Sequence, residues 1–384
     1  MRTMIALVSD QRMQNVFPVI QQGAKYDELI LVLSKDRRTG KPLGRFVKSA
    51  EDLKAVLYGY VDQIKIHDTY VDPYDIEAVR SVIFSLINSL SEPRQNMVLN
   101  ISGGTKPMAI GAFQAAQSAG IKCIYTDTED GELIWLSPDG TVEKEPIRVF
   151  LDVPTYIRAY GETVEGSRTP EQLVPQRQRV RWSLLLMDHY EVLYKQIIHK
   201  LLLRFKRETK ESGKPVLPFR YEISPTRRQR EAVRILVQEG LWDWDESGNQ
   251  IVVSDMERIK FLDGSWVEMF VAHQLHKSNY FDDVKMNLTL KGVEGEIDVA
   301  AVSNGRLVLI ECKSNVRRSV QLNMLDAFRK RLGGPYANAY YARASDAYKS
   351  QIDKQVRKIR LNGVFFGAEL RNVAQKIAQE MGTG

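Results

Sequence analysis

The first third of the chain alternates short apolar runs with amphipathic segments of helical length. Runs rich in Val, Ile and Leu recur, for example at residues 3–8, 28–33 and 121–126, and segments with helical apolar spacing separate them. Short buried strands joined by helices are typical of βαβ crossovers around a parallel sheet. We therefore predict a doubly wound α/β domain over residues 1–150, closed by a hairpin with its turn at 138–140.

The hydrophobic pattern changes twice in the middle of the chain. Pro, Gly and polar residues are scattered over residues 151–178, which predicts a linker. Helical spacing returns over 182–205, and a second helical segment at 226–240 leads into a hairpin around 248–249. Two helices followed by a two-stranded wing predict a winged-helix-like connector over residues 179–255.

The last third, residues 256–384, begins with a helical pattern and continues with three strand patterns, two helices and a short strand. Two of the strands, EGEIDVAAVS and RLVLIECKS, are joined by Asn-Gly at 304–305, which favours a two-residue type I′ turn. That turn places Asp298 directly opposite Glu311, with Lys313 on the same side of the sheet. The spacing therefore brings two carboxylates and an amine together.

This trio predicts a metal site. Apolar neighbours indicate a sheet buried on both faces, where two opposed carboxylates, Asp298 and Glu311, repel and an unpaired charge is costly. A Mg²⁺ or Mn²⁺ ion bound by both carboxylates, with the backbone carbonyl of Cys312 as a further ligand, would relieve the repulsion, and Lys313 would orient or help to deprotonate an attacking water. The alternative is a buried ion cluster in which Lys313 bridges the carboxylates, an arrangement that adds little stability compared with apolar residues.

The pattern Asp-x12-Glu-x-Lys is similar to the motif of the PD-(D/E)xK nuclease superfamily, and the strand order and preceding helix agree with it. That resemblance implies that Glu268, in GSWVEMF, is a further carboxylate near the metal; the alternative is a solvated helix face. Some members carry a glutamine and a tyrosine on the following helix, but Leu325 stands four residues after Gln321, so Gln321 receives no role. His273 and His276 are expected on a helix surface rather than at the metal.

The N-terminal domain has a second constellation. An apolar strand runs into Ser-Gly-Gly-Thr-Lys-Pro at 102–107, immediately before a helix. Glycines at such a junction let backbone N–H groups approach an anion, so a phosphate-bearing ligand is predicted; the alternative is a tight turn only. The absence of GxxxxGK[ST] and GxGxxG disfavours an ATPase or a dehydrogenase. Polar residues 9–11 and Asn15 follow the first strand, and we expect them at the same carboxyl edge of the sheet.

Taken together, SDQRMQN, SGGTKPM, GSWVEMF and D…ECK resemble CRISPR-associated ancillary nucleases with a Rossmann-like CARF domain, a winged-helix-like connector and a C-terminal restriction-endonuclease-like PD-(D/E)xK domain. The resemblance covers nearly the whole chain. It implies a homodimer that binds a cyclic oligoadenylate, usually cyclic tetra-adenylate, and then cleaves DNA or RNA with Mn²⁺ or Mg²⁺ in type III CRISPR antiviral defence. It implies catalytic roles for Glu268, Asp298, Glu311 and Lys313, and ligand-binding roles for Ser9, Asp10, Gln11, Asn15, Ser102, Gly103, Gly104, Thr105, Lys106 and Met108.

Charge is concentrated in the middle of the chain. The net charge is +6, yet residues 158–234 hold 17 Lys and Arg against nine Asp and Glu. Arg227, Arg228 and Arg230 would bind a nucleic-acid backbone or would merely solvate a helix face, and the sequence leaves both open. The basic excess is therefore compatible with a nucleic-acid partner without identifying one.

Cysteine usage and hydropathy predict the compartment. The two cysteines, Cys123 and Cys312, lie inside apolar runs, which excludes a disulfide framework and favours a reducing environment. Apolar stretches stay far below the ~20 residues of a membrane span, and no secretory signal is evident. We expect a protein of the prokaryotic cytoplasm.

Two rival functions follow from the same features. A ligand-responsive transcription regulator would bind duplex DNA through the basic connector and would have no use for Asp298, Glu311 and Lys313. A constitutive repair or restriction nuclease would have no use for the loop at 102–107. The presence of both constellations in one chain favours a regulated nuclease.

Overall fold

The strands of the protein form three sheets, of seven, three and six strands. The structure is a computed structural model that describes residues 1–128, 130–170, 174–314 and 322–382. The predicted mixed α/β fold class is confirmed. Among the described residues, no helix combines the length and the apolar composition needed to cross a membrane.

The seven-stranded sheet is built from the N-terminal third. Its elements are β1 (Thr3–Leu7), α1 (Met13–Ile20), β2 (Tyr26–Val32), α2 (Gly44–Leu57), β3 (Val61–Ile66), α3 (Ile76–Ser89), a 3₁₀ turn (Arg94–Asn96), β4 (Met97–Asn100), α4 (Lys106–Ala119), β5 (Lys122–Asp127), β6 (Glu132–Leu136) and β7 (Val142–Pro146). The strand order is β3-β2-β1-β4-β5-β6-β7, with β1 to β5 parallel and β6–β7 an antiparallel hairpin. Because the order reverses between β1 and β4, their carboxyl ends form the crevice where open α/β sheets bind ligands.

The middle of the chain contributes several helices, a small three-stranded sheet and one strand of the C-terminal sheet. Its elements are α5 (Val153–Ala159), β8 (Val164–Arg168), α6 (Val174–Asp188), a π-helical segment (Tyr190–Ile198), α7 (His199–Ser212), β9 (Phe219–Glu222), α8 (Arg227–Gln238), β10 (Asp243–Asp245) and β11 (Gln250–Val253). Strands β10, β11 and β9 form the small antiparallel sheet in that order. The succession helix, strand, helix and hairpin from α7 to β11 is compatible with the predicted winged-helix-like connector, which stays a prediction.

The six-stranded sheet is built from the last third and one earlier strand. Its elements are α9 (Met256–Lys260), a π-helical segment (Phe261–Ser265), α10 (Trp266–His276), β12 (Asp283–Leu290), β13 (Glu296–Ser303), β14 (Arg306–Lys313), α11 (Leu322–Leu332), a 3₁₀ turn (Gly334–Tyr336), β15 (Ala337–Arg343), α12 (Lys349–Lys358), β16 (Gly363–Phe366), a 3₁₀ turn (Gly367–Asn372) and α13 (Val373–Glu380). The strand order is β16-β15-β14-β13-β12-β8. Strands β14, β15 and β16 are parallel, and the remaining neighbours are antiparallel.

The predicted linker at 151–178 is corrected by the structure. Asp152 caps α5 by accepting the N–H of Thr155 at 2.7 Å, and β8 pairs antiparallel with β12 at the edge of the C-terminal sheet. The scattered Pro and Gly residues concealed both elements because each is short. One strand of the C-terminal sheet, β8, therefore precedes the connector in the sequence. The C-terminal sheet is not formed by one continuous segment, as the predicted boundaries would require.

Two apolar cores hold the three parts together. One core joins the N-terminal sheet to the C-terminal sheet, with Phe17 and Leu309 among its buried residues. The other joins the connector to the opposite face of the C-terminal sheet, with Tyr194, Trp266 and Ile310 among its members. Strands β13 and β14 are consequently buried on both faces, as their apolar runs predict.

Candidate functional site

The β13–β14 hairpin has the predicted register. Both residues of the turn at 304–305 have positive φ, as a type I′ turn requires. Val299 pairs with Ile310, the last pair that the ladder contains, and Asp298 and Glu311 are the next residues on the two strands. The local turn chemistry therefore brings these two carboxylates to the same end of the hairpin.

Lys313 contacts both opposed carboxylates. Its Nζ lies 3.3 Å from Oδ2 of Asp298 and forms an ion pair with Oε1 of Glu311. The backbone N–H of Cys312 also donates to Oδ2 of Asp298, at 2.7 Å. These contacts match the alternative prediction, an ion cluster in which Lys313 bridges the two carboxylates. Whether Lys313 alone balances the site depends on the other acidic residues around it.

Two more carboxylates converge on Asp298. Oxygens of Glu268, from α10, and of Glu296, at the start of β13, lie within 4.8 Å of one another and of an Asp298 oxygen. The amide of Asn287 donates to Glu268 at 2.9 Å and to Glu296 at 2.6 Å. Lys313 cannot neutralise four carboxylates, so a cation is expected to complete this carboxylate centre, by which we mean Glu268, Glu296, Asp298, Glu311 and Lys313.

The predicted members of the centre are thus brought together, with one addition and one change of role. Glu268 faces the centre rather than solvent. Glu296 was missed because an exposed glutamate at a strand start carries no pattern of its own, although its position two residues before Asp298 places it near the same strand end. Glu311 lies outside the group of three close carboxylates and pairs with Lys313. That the backbone carbonyl of Cys312 is a metal ligand stays a prediction.

Burial dominates the electrostatics of the centre. Burial, together with the smaller effect of the Asp298 charge, raises the pKa of Glu268 to about 8 and that of Glu311 to about 7. It also raises the pKa of Asp298, against the lowering effects of Lys313 and the Cys312 N–H. Burial lowers the pKa of Lys313, but the neighbouring carboxylates outweigh it and hold this pKa above its ordinary value. The centre therefore favours protonated carboxyl groups, and a bound cation would relieve the same repulsion.

The donor set fits a hard divalent metal. All candidate ligands in the cluster of Glu268, Glu296 and Asp298 are carboxylate oxygens, which Mg²⁺ and Mn²⁺ prefer. Neither His273 nor His276 belongs to this cluster; both lie further along α10, as expected of residues outside the metal site. Gln321 lies outside the described residues.

A buried amide organises the carboxyl edge of the N-terminal sheet. Asn100, the last residue of β4, donates from Nδ2 to the carbonyl of Gln14 at 2.9 Å and to Oδ1 of Asn15 at 3.0 Å. Its Oδ1 accepts the N–H and the hydroxyl of Ser102 at 3.0 and 2.6 Å, and the Ser102 hydroxyl accepts the N–H of Thr126 at 2.8 Å. Asn100 and Thr126 each stand at the end of an apolar run, and this position is the sequence signal by which they could have been predicted at the carboxyl edge.

Several predicted ligand residues lie accessible at this edge. Ser9 accepts the N–H of Gln11 through its hydroxyl at 3.3 Å, and both are partly exposed. Asp10 is exposed and lies 3.5 Å from Arg45. Lys106 is exposed at the start of α4. We call this surface, made of residues 9–11 and 102–106, the ligand edge.

The glycine loop packs closely against the first strand. A Cβ on Gly103 would lie 1.9 Å from the carbonyl oxygen of Leu7, and Gly104 has a φ of +77°. Thr105 caps α4 by accepting the N–H of Met108 at 3.4 Å. Glycine is therefore required at 103 by the close approach of β1, and the loop delivers the positive end of the α4 dipole to the ligand edge.

Two of the predicted ligand residues are buried, and their contact with a ligand stays a prediction. Asn15 and Met108 are fully buried. The Asn15 amide donates to the carbonyl of Leu7 at 3.1 Å, and the Met108 sulfur lies 3.3 Å from the Ser34 hydroxyl. In this conformation both side chains pack beneath the ligand edge, where they contact residues of neighbouring elements.

The basic residues of the connector are exposed on α8. Arg227, Arg228 and Arg230 lie in its first turns, and none of them forms an ion pair with another described residue. By contrast, Arg234 on the same helix pairs with Glu246 at 2.9 Å. The structure therefore presents three exposed arginines near the start of α8, of which Arg230 also interacts favourably with Glu246 at longer range.

Comparisons with known proteins agree with this geometry. The family model for the Card1 CARF domain matches residues 3–156, and the model for the Card1-like endonuclease domain matches residues 255–379. A comparison with curated proteins found no match.

Solved structures share the fold. Protein VC1899 from Vibrio cholerae superimposes with a TM-score of 0.75 at 16% identity, covering 99% of this chain and 98% of that one. Can2 from Sulfobacillus thermosulfidooxidans, solved in complex with cyclic tetra-adenylate, gives 0.72 at 17% identity, with 99% and 97% covered. A type III CRISPR defence DNA nuclease activated by cyclic oligoadenylate gives 0.50 at 14% identity, covering 89% of this chain and 45% of that one.

Proposed function

Because the chain belongs to the Card1 family, with a Card1 CARF domain and a Card1-like endonuclease domain, we propose that it is a nuclease of type III CRISPR defence that a cyclic oligoadenylate activates. The observation that carries the proposal is the joint presence, in one chain, of the carboxylate centre and the ligand edge. A transcription regulator would not need the carboxylate centre, and a constitutive nuclease would not need the ligand edge. The endonuclease domain counts against a transcription regulator, and the CARF domain counts against a constitutive nuclease.

In the proposed reaction, Glu268, Glu296 and Asp298 would hold a Mn²⁺ or Mg²⁺ ion. A divalent cation, when bound, supplies Lewis-acid activation of the phosphate and of the attacking water. Lys313 keeps its proton at neutral pH because the adjacent carboxylates raise its pKa, so it orients the nucleophile and stabilises developing negative charge. This replaces the expected contribution of Lys313 to deprotonating water.

The activator is proposed to be a cyclic oligoadenylate at the ligand edge. The N-terminal turn of α4, the loop at 103–104 and the exposed Lys106 supply N–H donors and positive charge for phosphates. Ser9 and Gln11 supply polar groups for adenine or ribose. The complex named for Can2 favours the four-membered ring, cyclic tetra-adenylate.

A homodimer is part of the proposal. Ile76 and Phe84 on α3 and Ile110 on α4 are exposed, and Ile110 lies one helical turn beyond Lys106. Exposed apolar residues that border a binding edge are typical of a protein interface. We propose that two copies meet on this α3–α4 surface, in the prokaryotic cytoplasm, and share one activator.

The proposal is tested by incubating the purified chain and Mn²⁺ with plasmid, single-stranded DNA and RNA, with and without cyclic tetra-adenylate. We expect cleavage of DNA, RNA or both that requires the activator and is abolished by EDTA. Asp298→Asn should lower the rate by more than about 100-fold without weakening activator binding. Glu294→Gln, an exposed neighbour outside the centre, is the control. Cleavage that survives Asp298→Asn would overturn the assignment.

A further inference from the structure

One tyrosine of the C-terminal domain reaches into the ligand edge. Tyr336 ends the 3₁₀ turn that precedes β15 and is 3% exposed. Its hydroxyl donates to Oε1 of Gln11 at 3.3 Å, across 325 positions of sequence. The side chains of Gln14 and Thr128, from the same edge, also hydrogen-bond this hydroxyl. A predicted ligand residue is therefore engaged by the nuclease domain itself.

The other end of this contact leads to the carboxylate centre. Tyr336 is followed directly by β15, which pairs in parallel with β14. In that register Tyr341 lies beside Glu311 and Arg343 beside Lys313. Because a hydrogen-bonded ladder of buried strands moves as a unit, a shift at the start of β15 reaches the two residues that define one side of the centre.

The hairpin that carries the centre is seated on the same part of the N-terminal domain. Phe17, on α1, packs edge-on against Tyr336 with ring centroids 6.5 Å apart, and its ring also meets Gly305 at the β13–β14 turn. Next to that turn, Arg306 donates to the carbonyl of Thr128 at 2.5 Å. The β13–β14 turn therefore rests on Phe17 and Thr128 of the N-terminal domain, and the residue before β15 reaches Gln11 of the ligand edge.

The acceptor on Gln11 is shared. Its Oε1 accepts the Gln14 amide at 3.1 Å as well as the Tyr336 hydroxyl. A ligand that recruits the Gln11 side chain withdraws this acceptor from a tyrosine that is almost fully buried. Two arrangements follow: one in which Tyr336 is held by Gln11 and one in which Gln11 is held by the ligand.

We infer that Tyr336 is the positioning residue through which occupancy of the ligand edge controls the carboxylate centre, its bond to Gln11 stabilising the resting arrangement. This inference rests on the proposed function and adds the contact that links activator to nuclease. Ligand binding breaks the Tyr336–Gln11 bond and frees the start of β15, and with it β14, to take the active arrangement. By thermodynamic linkage, weakening this bond must favour both ligand binding and basal activity.

The test is Tyr336→Phe, which keeps the ring against Phe17 and removes the hydroxyl. Loss of the bond to Gln11, the one that ligand binding is proposed to break, predicts a ligand concentration for half-maximal activation that is about two- to tenfold lower, and ligand-independent cleavage that is higher by a similar factor. The maximal rate at saturating ligand should stay at the wild-type value. In an Asp298→Asn background, ligand affinity measured by calorimetry should tighten by the same factor.

Tyr340→Phe is the matched control, because Tyr340 is a buried tyrosine of β15, the strand that follows Tyr336, and packs on Phe365 instead of the N-terminal domain. It should leave the half-activating concentration unchanged. An unchanged half-activating concentration in a folded Tyr336→Phe overturns the inference, as does an equal shift in Tyr340→Phe. A wild-type chain that does not respond to ligand contradicts the proposed function instead, and the inference with it.

Discussion

Single residues show why the carboxylate centre needs more than its lysine. Lys313 pairs with Glu311 and lies near Asp298, so the lysine of the Asp-x12-Glu-x-Lys motif already contacts both of the motif's carboxylates. Glu268 and Glu296 add two further carboxyl groups beside Asp298, and the Asn287 amide joins them. Charges held this close in a partly buried site repel strongly, so the centre is built to accept a cation.

Glu296 provides the sharpest residue-level prediction, because the sequence did not reveal it. Glu296→Gln removes one charge and keeps an oxygen for the Asn287 amide. We expect Mn²⁺ to bind about tenfold more weakly, as measured by isothermal titration calorimetry. Glu294→Gln, two residues earlier and exposed, should bind Mn²⁺ like the wild type. Unchanged affinity in Glu296→Gln would remove this residue from the metal site.

The raised carboxyl pKa values make stability depend on pH. In the unfolded chain Glu268 titrates near 4.5, but burial raises its pKa to about 8 in the folded chain. Between these values the folded state holds a proton that unfolding releases, so the free energy of unfolding of the metal-free protein falls as the pH rises. Urea denaturation in EDTA at pH 5.5 and pH 8 should show a smaller difference for Glu268→Gln than for the wild type. An identical pH dependence in both proteins would contradict the assignment of a buried, protonated Glu268.

At the scale of single elements, α8 is unusual in its charge. Thr226 and Gln229 form a capping box at its start, so the helix is well capped. Its first turns nevertheless carry Arg227, Arg228 and Arg230, where the helix dipole favours acidic residues. This placement does not serve helix stability, which favours the nucleic-acid interpretation over a merely solvated face.

Replacing these three arginines by glutamine tests that interpretation. We expect weaker binding of nucleic acid by an Asp298→Asn chain and a smaller dependence of the binding constant on salt, by about 0.9 in the log–log slope for each lost phosphate contact. Thermal stability should not fall. The control is Lys354, Arg357 and Lys358 of α12 replaced likewise, with the same change in charge. Equal losses in both triple variants would show that net charge alone, and not the α8 surface, governs binding.

At the scale of the whole molecule, the three parts are packed into continuous cores rather than strung on linkers. Strand β8 precedes the connector and pairs in the C-terminal sheet, so the connector is an insertion between two parts of one sheet. The N-terminal and C-terminal sheets share a buried core that includes Phe17 and Leu309. Such packing transmits displacement instead of absorbing it, as activation at a distance requires.

Assembly is the prediction that belongs to this scale. Phe84→Arg combined with Ile110→Arg places charges on the proposed α3–α4 interface, and light scattering should report a monomer for this variant and a dimer for the wild type. Activator affinity should fall as well, because one copy offers only half of the shared site. Leu203→Arg on α7, equally exposed but remote, is the control. A dimer that persists in the double variant would place the interface elsewhere.

The sequence by itself determined the features that depend on neighbours along the chain. Hydrophobic period and turn residues predicted the βαβ order of the N-terminal domain. The Asn-Gly turn at 304–305 determined the pairing of Asp298 with Glu311, since a two-residue turn leaves a single register. The same reasoning found the glycine loop at 102–107, because anion-binding turns are local.

Only the tertiary structure decided what distant segments do together. It buried Asn15 against β1 and β4, added β8 to a sheet more than 100 residues away, and brought Glu296 towards Glu268 through a residue, Asn287, with a φ of +52°. It also joined Tyr336 to Gln11. None of these contacts has a periodic signature, because each arises from the packing of separately encoded surfaces. The chemistry of each site was therefore readable in the sequence, and the connection between the sites was decided by packing.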